Sequence, residues 1–253
     1  MPVGERAEGG GPVGPGGVRA LRERWAAGEA CHGIWSQLPG AVTAELLAGT
    51  GADFVVLDLQ HGALAEAELP GVTAAVALAG AVPLVRTRSA HFTDVGRPLD
   101  LGAHGVLVPT VLGADHVREV VAGCRYAPRG NRSAGRLSGG AEEPLVLVIL
   151  ETAEALAELD AVLAVDGLDG VYVGPVDLAA SLGLAGDVEG LREVLSSVLT
   201  RARAAGVPVG VHAFDGAGAA AHAAAGTTIV TAAMDTTVLR TALAEQLRLA
   251  RGA

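Results

Sequence analysis

Lysine is absent from this chain: all 18 of its basic residues are arginine. A Schiff-base aldolase, a pyridoxal-phosphate enzyme and a Walker-type NTPase each need a lysine for the covalent step or the phosphate contact, so all three are excluded. Carbonyl carbon–carbon chemistry on such a chain requires a metal ion as the electron sink. Aromatic residues are only 3% of the sequence, against 50% hydrophobic residues in all and a mean hydropathy of +0.42, so the core is expected to be Ala, Val and Leu. Cys31 and Cys124 are the only cysteines. They are too few for a disulfide framework and read as reduced core thiols of a cytoplasmic protein. No run approaches the ~18 uninterrupted apolar residues of a membrane span. Positive charge is also in short supply. The 28 acidic residues outnumber the basic ones, and a net charge of −10 with a pI near 5.1 argues against nucleic acid as a partner.

What is present is an alternation. Residues 1–17, rich in Gly and Pro and without an apolar signal core, are expected to form a disordered tail. Residues 18–253 are expected to form a single domain. Apolar runs at 32–37, 53–59, 82–87, 105–110, 145–151, 170–175, 207–213 and 227–234 have the length and boundaries of buried parallel strands. Ala- and Leu-rich stretches near 40–50, 66–79, 92–101, 113–123, 153–165, 188–205, 215–225 and 236–250 read as helices, and another over 18–27 would cap the floor. Eight βα units in about 230 residues is the arithmetic of an α/β (βα)8 TIM barrel. The first strand is followed by Ser36-Gln37-Leu38-Pro39-Gly40, not by the Gly-x-Gly-x-x-Gly turn of a doubly wound sheet.

Two acids stand out on this frame. Glu151 closes the fifth run and Asp177 follows the sixth, so a right-handed βαβ crossover brings both carboxylates to the same end of neighbouring strands. Such a pair suits a hard divalent cation that keeps waters and takes substrate oxygens as its other ligands. The plain alternative is two solvated loop acids. Barrel active sites lie at the C-terminal ends of the strands. There Asp58, Gln60 and His61 end the second strand and Arg86 the third, His212 lies in the seventh, and Asp235 follows the eighth, while strand starts read as poorer in such groups. His91, His104, His116 and His222 fall in or beside helices and read as structural.

Several segments together resemble a known family: Asp58-Leu59-Gln60-His61-Gly62, Pro83-Leu84-Val85-Arg86, Val108-Pro109, Arg125-Tyr126-Ala127-Pro128-Arg129-Gly130-Asn131-Arg132, Ile149-Leu150-Glu151 and Gly170-Val171-Tyr172-Val173-Gly174-Pro175-Val176-Asp177-Leu178. In this order, over about residues 30–250, they are similar to the metal-dependent (class II) pyruvate aldolases of the 4-hydroxy-2-oxoheptanedioate and 2-dehydro-3-deoxyglucarate type, within the aldolase/citrate lyase family. The resemblance implies a barrel whose last helix is exchanged between subunits, a trimer-of-dimers hexamer, and cleavage or formation of a 4-hydroxy-2-oxo acid from a 2-oxo acid and an aldehyde. It implies Mg²⁺, Mn²⁺ or Co²⁺ held by Glu151 and Asp177, with pyruvate chelating the metal. It implies Arg86 on the ketone or enolate oxygen, His61 as the acid or base oriented by Asp58, and Asp100 in the same polar network. Gln60, Gly174, Pro175 and Arg132 become candidate substrate contacts.

The chemistry stands without the family. Cleaving a β-hydroxy ketone deprotonates the hydroxyl while the leaving carbon becomes an enolate. A metal on the carbonyl oxygen is worth several kcal/mol, a fixed arginine adds stabilisation of the same oxyanion, and general acid–base help contributes ~10²–10⁴-fold. Three departures bear on the substrate. Gln60 stands where the family has Glu, which should leave the neighbouring imidazolium less favoured. Ile149 stands where a Gln is usual, and the stretch between Arg132 and the fifth strand is short. An oxaloacetate-type decarboxylase or a synthase with an unusual acceptor is therefore the alternative, and an inactive barrel acting as a binding protein a third. The final helix carries Val238, Leu239, Ala242, Leu243, Leu247 and Leu249 on a broad apolar face, to be buried in its own wall or exchanged with a neighbour.

Overall fold

In the computed structural model, which describes residues 17–135 and 142–252, eight parallel strands close into a barrel in strict chain order. They are β1 (Cys31–Ser36), β2 (Phe54–Asp58), β3 (Val82–Arg86), β4 (Gly105–Val108), β5 (Leu145–Leu150), β6 (Gly170–Val173), β7 (Val209–His212) and β8 (Ile229–Met234). The eight expected strands are all there, the first shifted one residue earlier and the others trimmed by one or two residues at one or both ends. The tail expected over 1–17 lies outside the described residues except for Gly17, as do residues 136–141 of the loop before β5.

The helices are α1 (Val18–Ala26), α2 (Ala41–Ala48), α3 (Leu69–Leu78, after a 3₁₀ turn at Glu66–Glu68), α4 (Phe92–Asp100), α5 (Ala114–Cys124), α6 (Ala153–Ala157), α7 (Leu159–Leu163), α8 (Pro175–Ser181), α9 (Val188–Ala205), α10 (Gly216–Ala225) and α11 (Asp235–Ala250). The single helix expected over 153–165 is two short ones, broken at Glu158. The expected strand over 170–175 stops at Val173 because Pro175 opens an unforeseen helix, α8, and proline at the first helical position suits a start. No helix among the described residues is long and apolar enough to cross a membrane.

Side chains of a strand alternate between its two faces, and that period of two sorts the chain. Phe54, Val56, Leu84, Leu107, Leu145, Leu147, Ile149, Tyr172 and Ile229 fill the interior, with Val18, Leu21 and Trp25 of α1 plugging the floor. Their alternates Val55, Leu57, Val85, Val106, Val146, Val148, Val171 and Val173 face the helices. With so few aromatics, each needs room. A Cβ at Gly33 would lie 2.2 Å from the Phe54 ring, and one at Gly210 2.2 Å from the Tyr172 ring. Carried upward, the interior parity reaches Trp35, Asp58, Arg86, Glu151, Gly174 and His212, which form the top of the barrel.

The final helix does not line its own wall. Asp235 is its one buried residue, and Val238, Leu239, Leu243, Leu247 and Leu249 are each about half exposed. Asp235 anchors the take-off. Its carboxylate accepts hydrogen bonds from Ser36 Oγ at the end of β1 (2.9 Å) and from Gln37 N (3.0 Å) and Leu38 N (3.0 Å) of the loop after it.

Candidate active site

The register of β2 on β3 pairs Asp58 with Arg86 side by side at the top of the barrel. Arg86 donates from Nε to Asp58 Oδ1 (2.9 Å) and from one terminal nitrogen to Oδ2 (2.5 Å), a two-point grip that fixes the guanidinium plane. Trp35 adds its indole N–H to Oδ2 at 3.2 Å and lays its ring 4.8 Å beneath the guanidinium. The second terminal nitrogen of Arg86 has no protein partner among the described residues. Burial opposes the Asp58 charge, yet Arg86, the His61 backbone N–H and Trp35 outweigh it and hold the carboxyl below the usual range.

The implied orientation of the His61 ring by Asp58 is not what the structure shows. Asp58 Oδ1 accepts from the backbone N–H groups of Gln60 (3.0 Å) and His61 (3.1 Å), while its side-chain partners are Arg86 and Trp35. Asp58 thus shapes the loop that carries His61 and leaves the exposed imidazole to solvent or substrate. The Gln60 side-chain oxygen is buried without a partner among the described residues.

Glu151 continues the interior parity of β5 and is 7% exposed. Its Oε1 accepts the Thr110 N–H at 2.6 Å, and its Oε2 lies 3.2 Å from where a Cβ on Gly174 would be, so the glycine keeps that oxygen accessible. Burial raises the Glu151 pKa. The Thr110 N–H works against the rise, the Asp177 charge adds to it, and the nearby charges of Arg86 and His61 oppose it. Asp177, Arg86 and His61 are thus within electrostatic reach of Glu151; Asp177 and Arg86 line the same cleft, and His61 does not. Asp177 sits exposed in the first turn of α8, and neither it nor Glu151 forms an ion pair among the described residues.

Glu151, Asp177, Arg86, Gly174 and Pro175 line one cleft of about 110 Å³, closed by Trp35, Ile149, Tyr172, Val176, His212 and Met234. Among the described residues no cluster of three or more His, Cys, Asp or Glu offers a closed metal cage. Two carboxylates without an ion-pair partner among the described residues fit a hard divalent cation, which would take water and substrate oxygens as its other ligands.

Two expected members lie elsewhere. Asp100 ends α4 and Arg132 follows α5, so both fall on the loops that enter the strands, at the opposite end of the barrel. They pair with each other at 2.6 Å, and Arg132 stacks on Tyr126 at 4.8 Å. A cavity of about 400 Å³ beside them, lined by Arg125, Arg132, His104 and Glu143, is roomier than the upper cleft, but its arginines are matched by Glu143, Asp169 and Asp100.

The model of the HpcH/HpaI aldolase/citrate lyase family matches residues 32–242, nearly the whole barrel. The chain belongs to that family. It is an enzyme of the lyase class, an aldolase acting on carbon–carbon bonds. A hydroxypyruvate/pyruvate aldolase of Rhizorhabdus wittichii is 37% identical over 92% of this chain and 99% of its own length. A 4-hydroxy-2-oxovalerate aldolase of Rhodococcus jostii is 37% identical over 77% of this chain and 81% of its own. A crystal structure of a family member from Burkholderia cenocepacia superposes with a TM-score of 0.85 at 28% identity, over 92% of this chain and 100% of that one.

Two features of this aldolase escaped the sequence reading. Thr110 has φ +54°, a left-handed conformation that a β-branched residue adopts only under constraint. That turn aims its N–H at Glu151, and no residue type announces it. His212 was noted for its position near the end of a strand, but nothing in the sequence said that Tyr172 and Thr231 would back it.

Proposed function

We propose that this aldolase cleaves and forms 4-hydroxy-2-oxo acids, exchanging them with pyruvate or a close 2-oxo acid and an aldehyde. The observation that carries the proposal is the contrast inside one cleft: Arg86 is held at two points by Asp58, while Glu151 and Asp177 have no ion-pair partner among the described residues. The names of the relatives support the substrate class. Mg²⁺, Mn²⁺ or Co²⁺ held by Glu151 and Asp177 would supply Lewis acidity at the carbonyl oxygen of the 2-oxo acid.

The chain's own groups do the rest. Arg86, oriented by Asp58 and Trp35, presents its free terminal nitrogen to the oxygen on which charge develops. His61 removes the proton of the 4-hydroxyl as the bond between carbons 3 and 4 breaks. The aldehyde carbonyl forms from that oxygen, and the electron pair of the broken bond passes to the enolate. In the reverse direction the imidazolium returns the proton. Gly174 and Pro175 leave the Glu151 oxygen open to the cleft.

Pyruvate release from a panel of 4-hydroxy-2-oxo acids, with and without divalent ion, tests this reading. His61→Ala should slow cleavage far more than exchange of the pyruvate methyl protons with solvent, because hydroxyl deprotonation is the added task. Turnover of oxaloacetate alone, with no aldol cleavage, would assign the chain to decarboxylation instead.

We place residues 18–253 as one catalytic barrel working in the cytosol, a setting that suits two buried free thiols. The exposed leucines of α11 and the exposed Val42 and Leu46 of α2, the helix that follows β8's neighbour β1, favour exchange of α11 with a second copy in a closed hexamer. Light scattering should show a hexamer or at least a dimer, and Leu243→Asp should shift it toward monomer. A monomeric wild type would overturn the exchange.

A further inference from the structure

One polar group in the cleft is left unused by the proposed chemistry. His212 ends β7, lines the same cleft as Arg86 and Glu151, and stands edge-on to Trp35 (5.2 Å between centroids) and to Phe214 (5.6 Å). Its Nδ1 lies 3.3 Å from the Tyr172 hydroxyl and 3.4 Å from Thr231 Oγ1, and those two oxygens are 2.6 Å apart. Burial keeps the Tyr172 phenol protonated, so the triangle contains two hydroxyl protons to place.

Both are placed only when Nδ1 accepts: from Tyr172, with Thr231 donating to the Tyr172 oxygen, or from Thr231, with Tyr172 donating to Thr231 Oγ1. If Nδ1 carried a hydrogen of its own, Tyr172 would turn to Thr231 and the buried Thr231 proton would have no acceptor among the described residues, a cost that buried polar groups avoid. The neutral ring then carries its hydrogen on Nε2. Burial first, and the Arg86 charge second, keep the imidazole neutral. Nε2 has no protein partner among the described residues, and it is not sealed from the cleft.

We infer that His212, as the Nε2–H tautomer, donates a hydrogen bond to a hydroxyl carried by a substrate beside the carbon–carbon bond being made or broken. It thereby selects hydroxylated substrates over their alkyl counterparts. Phe214 and Trp35 hold the ring edge-on on both sides, and the Tyr172–Thr231 pair fixes its tautomer from behind. The inference rests on the aldol reading above, because that reading commits Glu151, Asp177 and Arg86 to the 2-oxo acid and leaves His212 for the remaining polar group. The hydroxyl can come from the aldehyde or from carbon 3 of the 2-oxo acid.

The test is kcat/KM in the direction of synthesis, with the intact protein and Mn²⁺, for pyruvate or hydroxypyruvate combined with acetaldehyde or glycolaldehyde. The wild type should favour the hydroxylated member of one pair. His212→Leu should lower that preference about tenfold, the worth of roughly one hydrogen bond, and His212→Gln should retain much of it through its amide N–H. Collapse in the glycolaldehyde arm assigns the hydroxyl to the aldehyde, and collapse in the hydroxypyruvate arm to the 2-oxo acid. Equal preferences in wild type and His212→Leu in both arms would overturn the inference. Nitrogen-15 NMR of the imidazole decides the same point without turnover. The Nε2 resonance of His212 should be protonated at rest and should move with the hydroxylated compound but not with its alkyl counterpart, and a ring protonated at Nδ1 would overturn it. Absence of synthesis with every pair would sink the aldol reading, while the spectrum still judges His212.

Discussion

At the floor of the barrel, Asp169 binds Arg22 (2.6 Å), Arg125 (3.4 Å) and the Val146 N–H (2.8 Å), Asp53 binds Arg24 (2.5 Å), and Asp100 binds Arg132 (2.6 Å). The arginines there also hold carbonyls of the entering loops, as Arg22 does those of Glu143 and Pro144 at 2.9 Å. At the roof, Asp58 and Arg86 are just as tightly matched, but Glu151 and Asp177 have no ion-pair partner among the described residues. Both ends are rich in charge, so the expectation that strand starts would be poor in such groups does not hold. What separates the working end is charge left over. The matched pairs at the floor spend their electrostatics on closing loops, whereas the roof holds two unpaired carboxylates, one of them, Glu151, made costly by burial, which an added cation would relieve.

The sharpest way to break this contrast is to remove the surplus. Glu151→Gln or Asp177→Asn should cost about 10³-fold or more in kcat and weaken divalent-ion binding in calorimetry. The fold should survive, because neither carboxylate holds another element by an ion pair. Burial raises the Glu151 pKa, so the native state prefers this group protonated and its ionised form subtracts stability above that value. Glu151→Gln should therefore melt no lower than wild type near neutral pH without metal. A variant that unfolds, or one that keeps full turnover, would contradict the assignment.

Next in size is Arg86→Ala. It takes away the oxyanion donor, an expected ~10²–10³-fold in kcat, and it strands a carboxylate that is 0% exposed, about 3–5 kcal/mol of stability. The pH dependence separates the two losses. The Asp58 pKa is depressed in the native state, so its contribution is fully present above the unfolded carboxylate range near ~4 and is lost as pH falls through the native value. Arg86→Ala should erase that acid-side fall in stability in urea titrations. An unchanged acid profile would mean that Asp58 is held by Trp35 and the loop amides instead.

The smallest effect belongs to the floor. Arg132→Ala should lower stability by ~1–3 kcal/mol by leaving Asp100 without its partner, with kcat and KM of the folded enzyme close to wild type. A large loss of kcat in a stable Arg132→Ala protein would return that arginine to the active site and erase the contrast between the two ends.

The sequence by itself determined the barrel and the layer in which the chemistry sits. Runs of Val and Leu at parallel-strand length, spaced by helical stretches, leave few other ways to bury so much apolar surface, and the period of two sends Asp58, Arg86 and Glu151 inward at the strand tops. Only the tertiary structure decided who partners whom. Asp100 and Arg132 were expected at the cleft, and nothing local says that the αβ connections carry them to the floor, where they pair with each other. Thr110 is turned toward Glu151 by a left-handed backbone angle that no propensity favours. The direction of α11 follows from the Asp235 anchor on the loop after β1, a contact spanning the closure of the barrel. Hydrophobic periodicity is local and survives in one dimension. The pairing of charges and the hydrogen-bond partners of His212 depend on segments that meet only after the barrel has closed.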